Sequence, residues 1–321
     1  MTDKDSKPKS ASLPTSWLIV LVRYFWTTLW RIMMSKLAPT TETGAYQRPN
    51  SQFRQQIKSA DNYPYPPVAN RYRLYVGLSC PWAHRTLIVR KLKGLEKVID
   101  VCLVIPSPSQ GGWIMKEVSE NCLTLKQLYR LSKSNYQGRY TVPVLWDTET
   151  KTIVNNESAE IIVILNSEFN QFAVNPNLDL NPPQLRSQIE QWNEKIYHNI
   201  NNGVYRCGFA QNQSAYELAC NELFTTLNEI ETHLSTNRYL CGEDLTLADV
   251  RLFTTLIRFD VVYFSLFKCS IKPIANYVNL SRYLQDIYNL NGIAETCDLK
   301  TVKQDYFSNL FPLNPGGIIP L

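Results

Sequence analysis

Cys80 is the side chain best placed for nucleophilic chemistry. It stands in Ser79-Cys80-Pro81-Trp82-Ala83-His84-Arg85, after a strand-like run over 71–77 and ahead of a helix-like run over 86–92. Pro81 suits the first helical position, because it has no N–H to leave unused and its φ is already helical. Cys80 then falls at the helix N-terminus, where open N–H groups and the dipole favour an anion. A thiolate is such an anion, so the position predicts a lowered thiol pKa and a nucleophilic sulfur. Ala83 stands where a C-x-x-C motif would put its second cysteine. With no adjacent thiol to resolve a mixed disulfide on Cys80, a small external thiol is the natural second reactant.

The elements that must hold this cysteine follow a β-α-β pattern. Strands are predicted over 72–78 and 98–105, with a helix over 81–93 between them. A loop carrying Gly111, Gly112 and Trp113 comes next, then a helical run near 120–132. Segments 141–146 and 152–155 read as a hairpin joined by 147–151, followed by a helix over 158–166. The order β-α-β-α-β-β-α is that of the thioredoxin fold. Pro143 heads the third strand, a place open to proline at a strand's first residue. In thioredoxin-like folds that proline is cis and the backbone before it faces the cysteine, so a cis Val142–Pro143 bond is expected. Residues 169–183, rich in Pro and Asn, form a linker. Beyond it the pattern is helical, near 184–203, 214–235, 246–263 and 276–289. Thr246 and Asp249 open the third run as a capping-box variant.

The expected organisation is an arm over 1–40, an extended lead-in over 41–70 with a short helix near 52–57, a thioredoxin-like domain over 71–168, the linker over 169–183 and an all-helical domain over 184–321. Residues 1–16 are polar and read as disordered. The run 17–34 is apolar but interrupted by Arg23 and Arg31, so it fails as a spanning helix. It reads first as an arm docked on the body or on a second subunit. The other reading is an interfacial helix with weak membrane association.

Composition narrows the function. The chain has 321 residues, 44% of them apolar, enough for a sizeable core. Its net charge of +5 comes from scattered Lys and Arg. A nucleic-acid partner is therefore not expected, since its basic residues would cluster on one face. Eight cysteines and three histidines show no zinc spacing, and no metal is expected. Mostly buried free thiols in a reducing, cytoplasmic setting fit best.

A thioredoxin-like domain followed by helices resembles the glutathione transferases. Residues 239–253, Tyr239 to Phe253, resemble that superfamily's helical-domain signature. The resemblance narrows at 79–85, at 138–147, at Asn155-Asn156-Glu157-Ser158, at Asn201-Asn202-Gly203-Val204-Tyr205 and at Arg258-Phe259-Asp260. Together these are similar to the glutathionyl-hydroquinone reductases, the xi class, over roughly residues 44–318. The resemblance implies an α+β thioredoxin-like domain, an all-α transferase domain, a homodimer and glutathione as co-substrate. It implies removal of glutathione from S-glutathionyl-hydroquinones, with Cys80 as nucleophile. By position, Trp113, Arg139, the Val142 backbone, Glu157 and Ser158 would hold glutathione. Tyr205, Tyr263 and Tyr306 would approach the hydroquinone. Ala159 stands where the family usually has a second serine.

These assignments make physical sense. A helix start at Glu157-Ser158 offers N–H groups and a hydroxyl to a carboxylate, and the Glu157 carboxylate suits an ammonium. Backbone at Val142 can pair with a peptide as an added strand. Arg139 supplies positive charge, Trp113 a lid, and the phenols can bond a hydroquinone oxygen. His84 is expected to pack or cap near Cys80 rather than act as a base. Two alternatives remain at this point. One is an omega-like thioltransferase or dehydroascorbate reductase. The other is a non-enzymatic binding or membrane-associated protein on the same fold.

Overall fold

In this computed structural model, residues 15–38, Tyr46 and 50–321 are described. The polar stretch 1–14 and most of 39–49, which hold the expected disordered tail and the start of the lead-in, lie outside the described residues.

The first helix, α1 (Thr15–Leu37), precedes the sheet. Its C-terminal end meets the body, with Met34 and Ala38 fully buried and Trp30 Nε1 donating to the Pro312 carbonyl at 2.9 Å. Its N-terminal two-thirds stay exposed, so the expected docking holds for one end only.

Strand β1 (Tyr72–Val76) is buried at every position but Arg73, as a central strand must be. It runs parallel to β2 (Asp100–Ser107), joined through α2 (Pro81–Lys93). Two further strands, β3 (Gly112–Ser119) and β4 (Cys122–Thr124), precede α3 (Leu125–Ser132). The hairpin β5 (Val144–Asp147) and β6 (Thr152–Asn155) leads to α4 (Ser158–Ser167). The sheet order is β4-β3-β2-β1-β5-β6, with β5 antiparallel to β1. The start of β1 is tied to the end of β5 by the Arg71–Asp147 pair, bonded at 2.9 and 2.6 Å and buried.

Strands β3 and β4 correct the sequence reading, which put a loop at 112 and a helix from 120. Glu120 and Asn121 both take positive φ, 54° and 56°, between the paired Ser119 and Cys122. That is the geometry of a two-residue hairpin turn, usually signalled by glycine. Here no glycine marks it, so the pattern hid it. The helix begins only at Leu125, where Thr124 and Gln127 form a capping box. The short helix expected near 52–57 is also absent. That stretch is extended, with Gln55 N–H bonded to the Val154 carbonyl at 3.0 Å and Arg54 bridged to Asn155. It thereby covers the β6 edge.

The rest is helical. It comprises α5 (Arg186–Ile196), a π-helical turn Tyr197–Asn201, α6 (Gly203–Gly208) and α7 (Gln213–His233). Then come α8 (Leu247–Arg258), a second π turn Phe259–Tyr263, α9 (Phe264–Leu266), α10 (Val278–Tyr288) and α11 (Leu299–Asn309). Sequence patterning missed α11. Its start is capped by Asp298, which accepts from Thr301 N–H at 2.9 Å and Thr301 Oγ1 at 2.7 Å. Asp249, fully buried at the start of α8, accepts from the N–H groups of Leu240 and Thr246 and from the Thr246 and Tyr283 hydroxyls.

Candidate active site

Cys80 is the N-cap of α2, with extended backbone at φ −77° and ψ 118°, and Pro81 follows it. The Val142–Pro143 bond is cis. The Val142 carbonyl lies 3.6 Å from Cys80 Sγ, so the loop before β5 faces the sulfur as expected. Both residues line a cavity of about 700 Å³. Trp113 and Arg139 line it too. Trp113 sits at the start of β3, paired with Pro106, rather than on a flexible loop. Its indole lies over Gly77, where a Cβ would fall 2.3 Å from the ring. Only glycine leaves room for that ring, so the indole is seated rather than swinging.

Helical residues build the rest of the cavity. Tyr205 and Tyr306 line it, their hydroxyls 2.7 Å apart. Tyr263 does not line it. It is fully buried and reaches the Tyr306 hydroxyl at 3.3 Å, stacked on Phe267 at 5.2 Å between ring centroids. All three phenols are held protonated above their ordinary range, chiefly by burial. A negative charge on Cys80 contributes at Tyr205 and Tyr263, which places the sulfur within electrostatic reach of both. Tyr205 follows the first π turn and Tyr263 ends the second. Such turns rotate the next residues relative to a regular helix and recur at functional sites.

Glu157 and Ser158 sit at the start of α4, adjoining the cavity at Asn156 but not lining it. The Glu157 carboxylate accepts from Ala159 N–H at 3.1 Å and Ser51 Oγ at 2.9 Å. Ser158 is buried and bonds Glu157 at 3.5 Å. Burial lowers Arg251 to about 10, opposed by the nearby Glu157 charge.

Sequence reasoning missed two parts of the site. Asp305 lines the cavity on α11, one residue before Tyr306. Burial raises its carboxyl above the ordinary range, opposed by a hydrogen bond to Ser79. No local motif marks it, because its neighbours in the site are remote in sequence. Arg258, already singled out as a motif residue, proves to be the brace of the Cys80 loop. It donates to the carbonyls of Leu78 at 3.0 Å and Ser79 at 3.2 Å and to His84 Nδ1 at 2.8 Å. His84 Nε2 then donates to Thr296 Oγ1 at 2.9 Å, and that hydroxyl to the Ile293 carbonyl at 2.7 Å. Burial, then Arg258, push His84 well below its usual pKa. It is a neutral packing residue, as expected, and not a base.

The chain matches the family models for the glutathione S-transferase N-terminal domain over residues 79–168 and C-terminal domain over residues 213–286. It is 44% identical over 293 residues to glutathionyl-hydroquinone reductase YqjG of Escherichia coli K12, covering 87% of this chain and 89% of that protein. Among solved structures it resembles the glutathione-S-transferase Xi of Phanerochaete chrysosporium, with TM-score 0.84 and 42% identity over 88% of this chain and 94% of that one. It also resembles the glutathione-bound structure of YqjG, with TM-score 0.79 and 43% identity over 84% of this chain and 92% of that one. With a helix-capping cysteine opposite a cis proline, and a phenol cluster closing the same cavity, the chain belongs to the glutathionyl-hydroquinone reductases, the xi class of glutathione transferases.

Proposed function

We propose that this protein removes glutathione from S-glutathionyl-hydroquinones, with Cys80 as nucleophile and a second glutathione as reductant. One observation carries the reading. A single cavity holds Cys80 and the bonded hydroxyls of Tyr205 and Tyr306, so one ligand can meet a thiolate at its sulfur and phenols at its ring oxygen.

The glutathione-bound structure of YqjG supports glutathione as a ligand, and this reading seats it in the thioredoxin-like half. In this reading the Val142 backbone pairs with the cysteinyl unit as an added strand. Glu157 and Ser158 receive the γ-glutamyl end, and Arg139 and the fixed Trp113 ring flank the tripeptide. The Cys80 thiolate attacks the glutathionyl sulfur. The carbon–sulfur bond breaks, and the ring carbon leaves with the electron pair and takes a proton. Tyr205 and Tyr306 bond the ring oxygen and favour the keto tautomer, in which that carbon releases sulfur more readily. Tyr263 holds the Tyr306 hydroxyl. A second glutathione thiolate then attacks the Cys80–glutathione disulfide, giving oxidised glutathione and restoring Cys80. The sulfur centres are oxidised by two electrons, and the ring carbon is reduced by two. A homodimer and a cytoplasmic setting belong to the same proposal, the latter supported by buried thiols at Cys207, Cys220 and Cys269.

The test is steady-state turnover of glutathionyl-menadiol with reduced glutathione. Wild type turns over and Cys80→Ser loses at least about 10³-fold, since a hydroxyl cannot form the disulfide. Cys80→Ser at wild-type rate, or no turnover by wild type alongside rapid reduction of dehydroascorbate, contradicts the reading.

A further inference from the structure

Helix α1 plays no part in that chemistry, yet it carries the largest run of exposed apolar side chains among the described residues. Leu18, Leu21, Val22, Phe25, Leu29 and Ile32 are between 38% and 69% exposed. At about 100° per residue they fall within about 100° of arc, one continuous apolar face. Arg23, Thr27, Arg31 and Ser35 recur every fourth residue and form a polar stripe on the other side. Trp30 and Met34, which touch the body, lie beside and within that stripe. Val20 and Tyr24, 66% and 73% exposed, interrupt that stripe, so α1 is apolar round most of its circumference, and its broadest apolar face points away from the protein that carries it.

A patch of this kind must be covered. We propose that its cover is an anionic lipid surface, on which α1 lies in the plane of the headgroup boundary. Three features select lipid over a second copy of the chain. First, α1 contains Arg23, Arg31 and Lys36 and no acidic residue, so a second α1 laid against it sets like charges together while anionic headgroups attract. Second, Trp17, Tyr24 and Trp26 put exposed amphipathic rings along the helix, the residue types that settle at a membrane–water boundary. Third, the apolar face continues onto the C-terminal segment. Phe311 packs edge-on against Trp26 at 6.5 Å, and Ile318, Ile319 and Leu321 are exposed beyond it. The helix is not long and apolar enough to cross a membrane. The arginines instead extend from the polar stripe to the headgroups while the apolar face sits among the acyl chains. Leu310, on the cavity rim, directly precedes Phe311.

Co-sedimentation of the full chain tests this, with vesicles of phosphatidylcholine alone and of phosphatidylcholine mixed with phosphatidylserine. The chain pellets with the mixed vesicles and binds neutral ones roughly thirty-fold more weakly, the effect of two basic side chains at the surface. The double variant Phe25→Glu, Ile32→Glu stays in the supernatant and keeps wild-type turnover of glutathionyl-menadiol. Its thermal melt shows that it is folded. Two results overturn the proposal. One is a wild type that ignores both vesicles but self-associates in a way the same variant abolishes. The other is equal binding to neutral and anionic vesicles.

Discussion

In the proposed reaction Cys80 and Tyr306 work as a pair on one ligand, so each should fail differently. Tyr306 accepts or donates to two other phenols and lines the cavity, while Tyr263 only supports it. Tyr306→Phe removes the shared hydroxyl and keeps the ring. It should lower kcat for glutathionyl-menadiol by about 10²-fold, as loss of one donor to a developing charge does. The KM for glutathione should hold, which steady-state kinetics at varied glutathione will check. A rise in KM with kcat intact would instead make Tyr306 a binding residue. Legibility at this scale followed locality. Cys80 was readable because Pro81 and the strand before it sit within a few residues. Asp305 was not, because what makes it part of the site is Ser79, far away in the sequence. Tyr263 matched a family position, yet only packing reveals that it stands behind Tyr306.

Elements explain why the site is rigid and where it fails with pH. The crossover β1–α2–β2 and the β5–β6 hairpin were legible, because their apolar runs and Pro143 obey strand rules. The β3–β4 hairpin was not, because its turn residues Glu120 and Asn121 carry no glycine signal. The two π turns also escaped, since apolar spacing continues smoothly through them. Within α2, His84 is buried neutral, and its folded pKa lies well below 6.5. The unfolded chain therefore binds more protons as pH falls, so stability is full above 6.5 and is lost below it. Between pH 7.5 and 5.5 the loss should be about 1.4 kcal/mol, measured by urea unfolding. In His84→Gln that part of the slope should vanish. The Arg71–Asp147 tie between β1 and β5 is lost in the same direction, on acidification, but at lower pH. Burial opposes the Asp147 charge, but bonds from Arg71, Thr150 and Glu149 N–H outweigh it and leave the carboxyl below 3.8. Its contribution persists above that pH and is lost as acid protonates it. Asp147→Ala should cost about 1.5–3 kcal/mol at neutral pH, since buried Arg71 loses two charge-assisted bonds but keeps Glu149 at 3.0 Å and the Pro64 carbonyl at 3.1 Å.

At the scale of the molecule, the helical half does not merely supply substrate contacts. Arg258 on α8 holds the loop that ends in Cys80, and α11 brings Asp305 and Tyr306 to the same cavity. Neither link is visible in local patterning, since both join segments remote in sequence. Arg258→Met should destabilise by about 2–4 kcal/mol, because the carbonyls of Leu78, Ser79 and Thr254 and a ring nitrogen lose their donor. It should also slow alkylation of Cys80 at fixed pH, an effect absent if the arginine served packing alone. In the proposed reaction Cys80 passes through a disulfide with glutathione. Mixing the enzyme with excess glutathionyl-menadiol in the absence of reduced glutathione isolates that step. The expected result is one equivalent of menadiol per active site and a glutathione adduct on Cys80 by mass spectrometry, reversed by adding glutathione. Continuous menadiol release with Cys80 unmodified would contradict it.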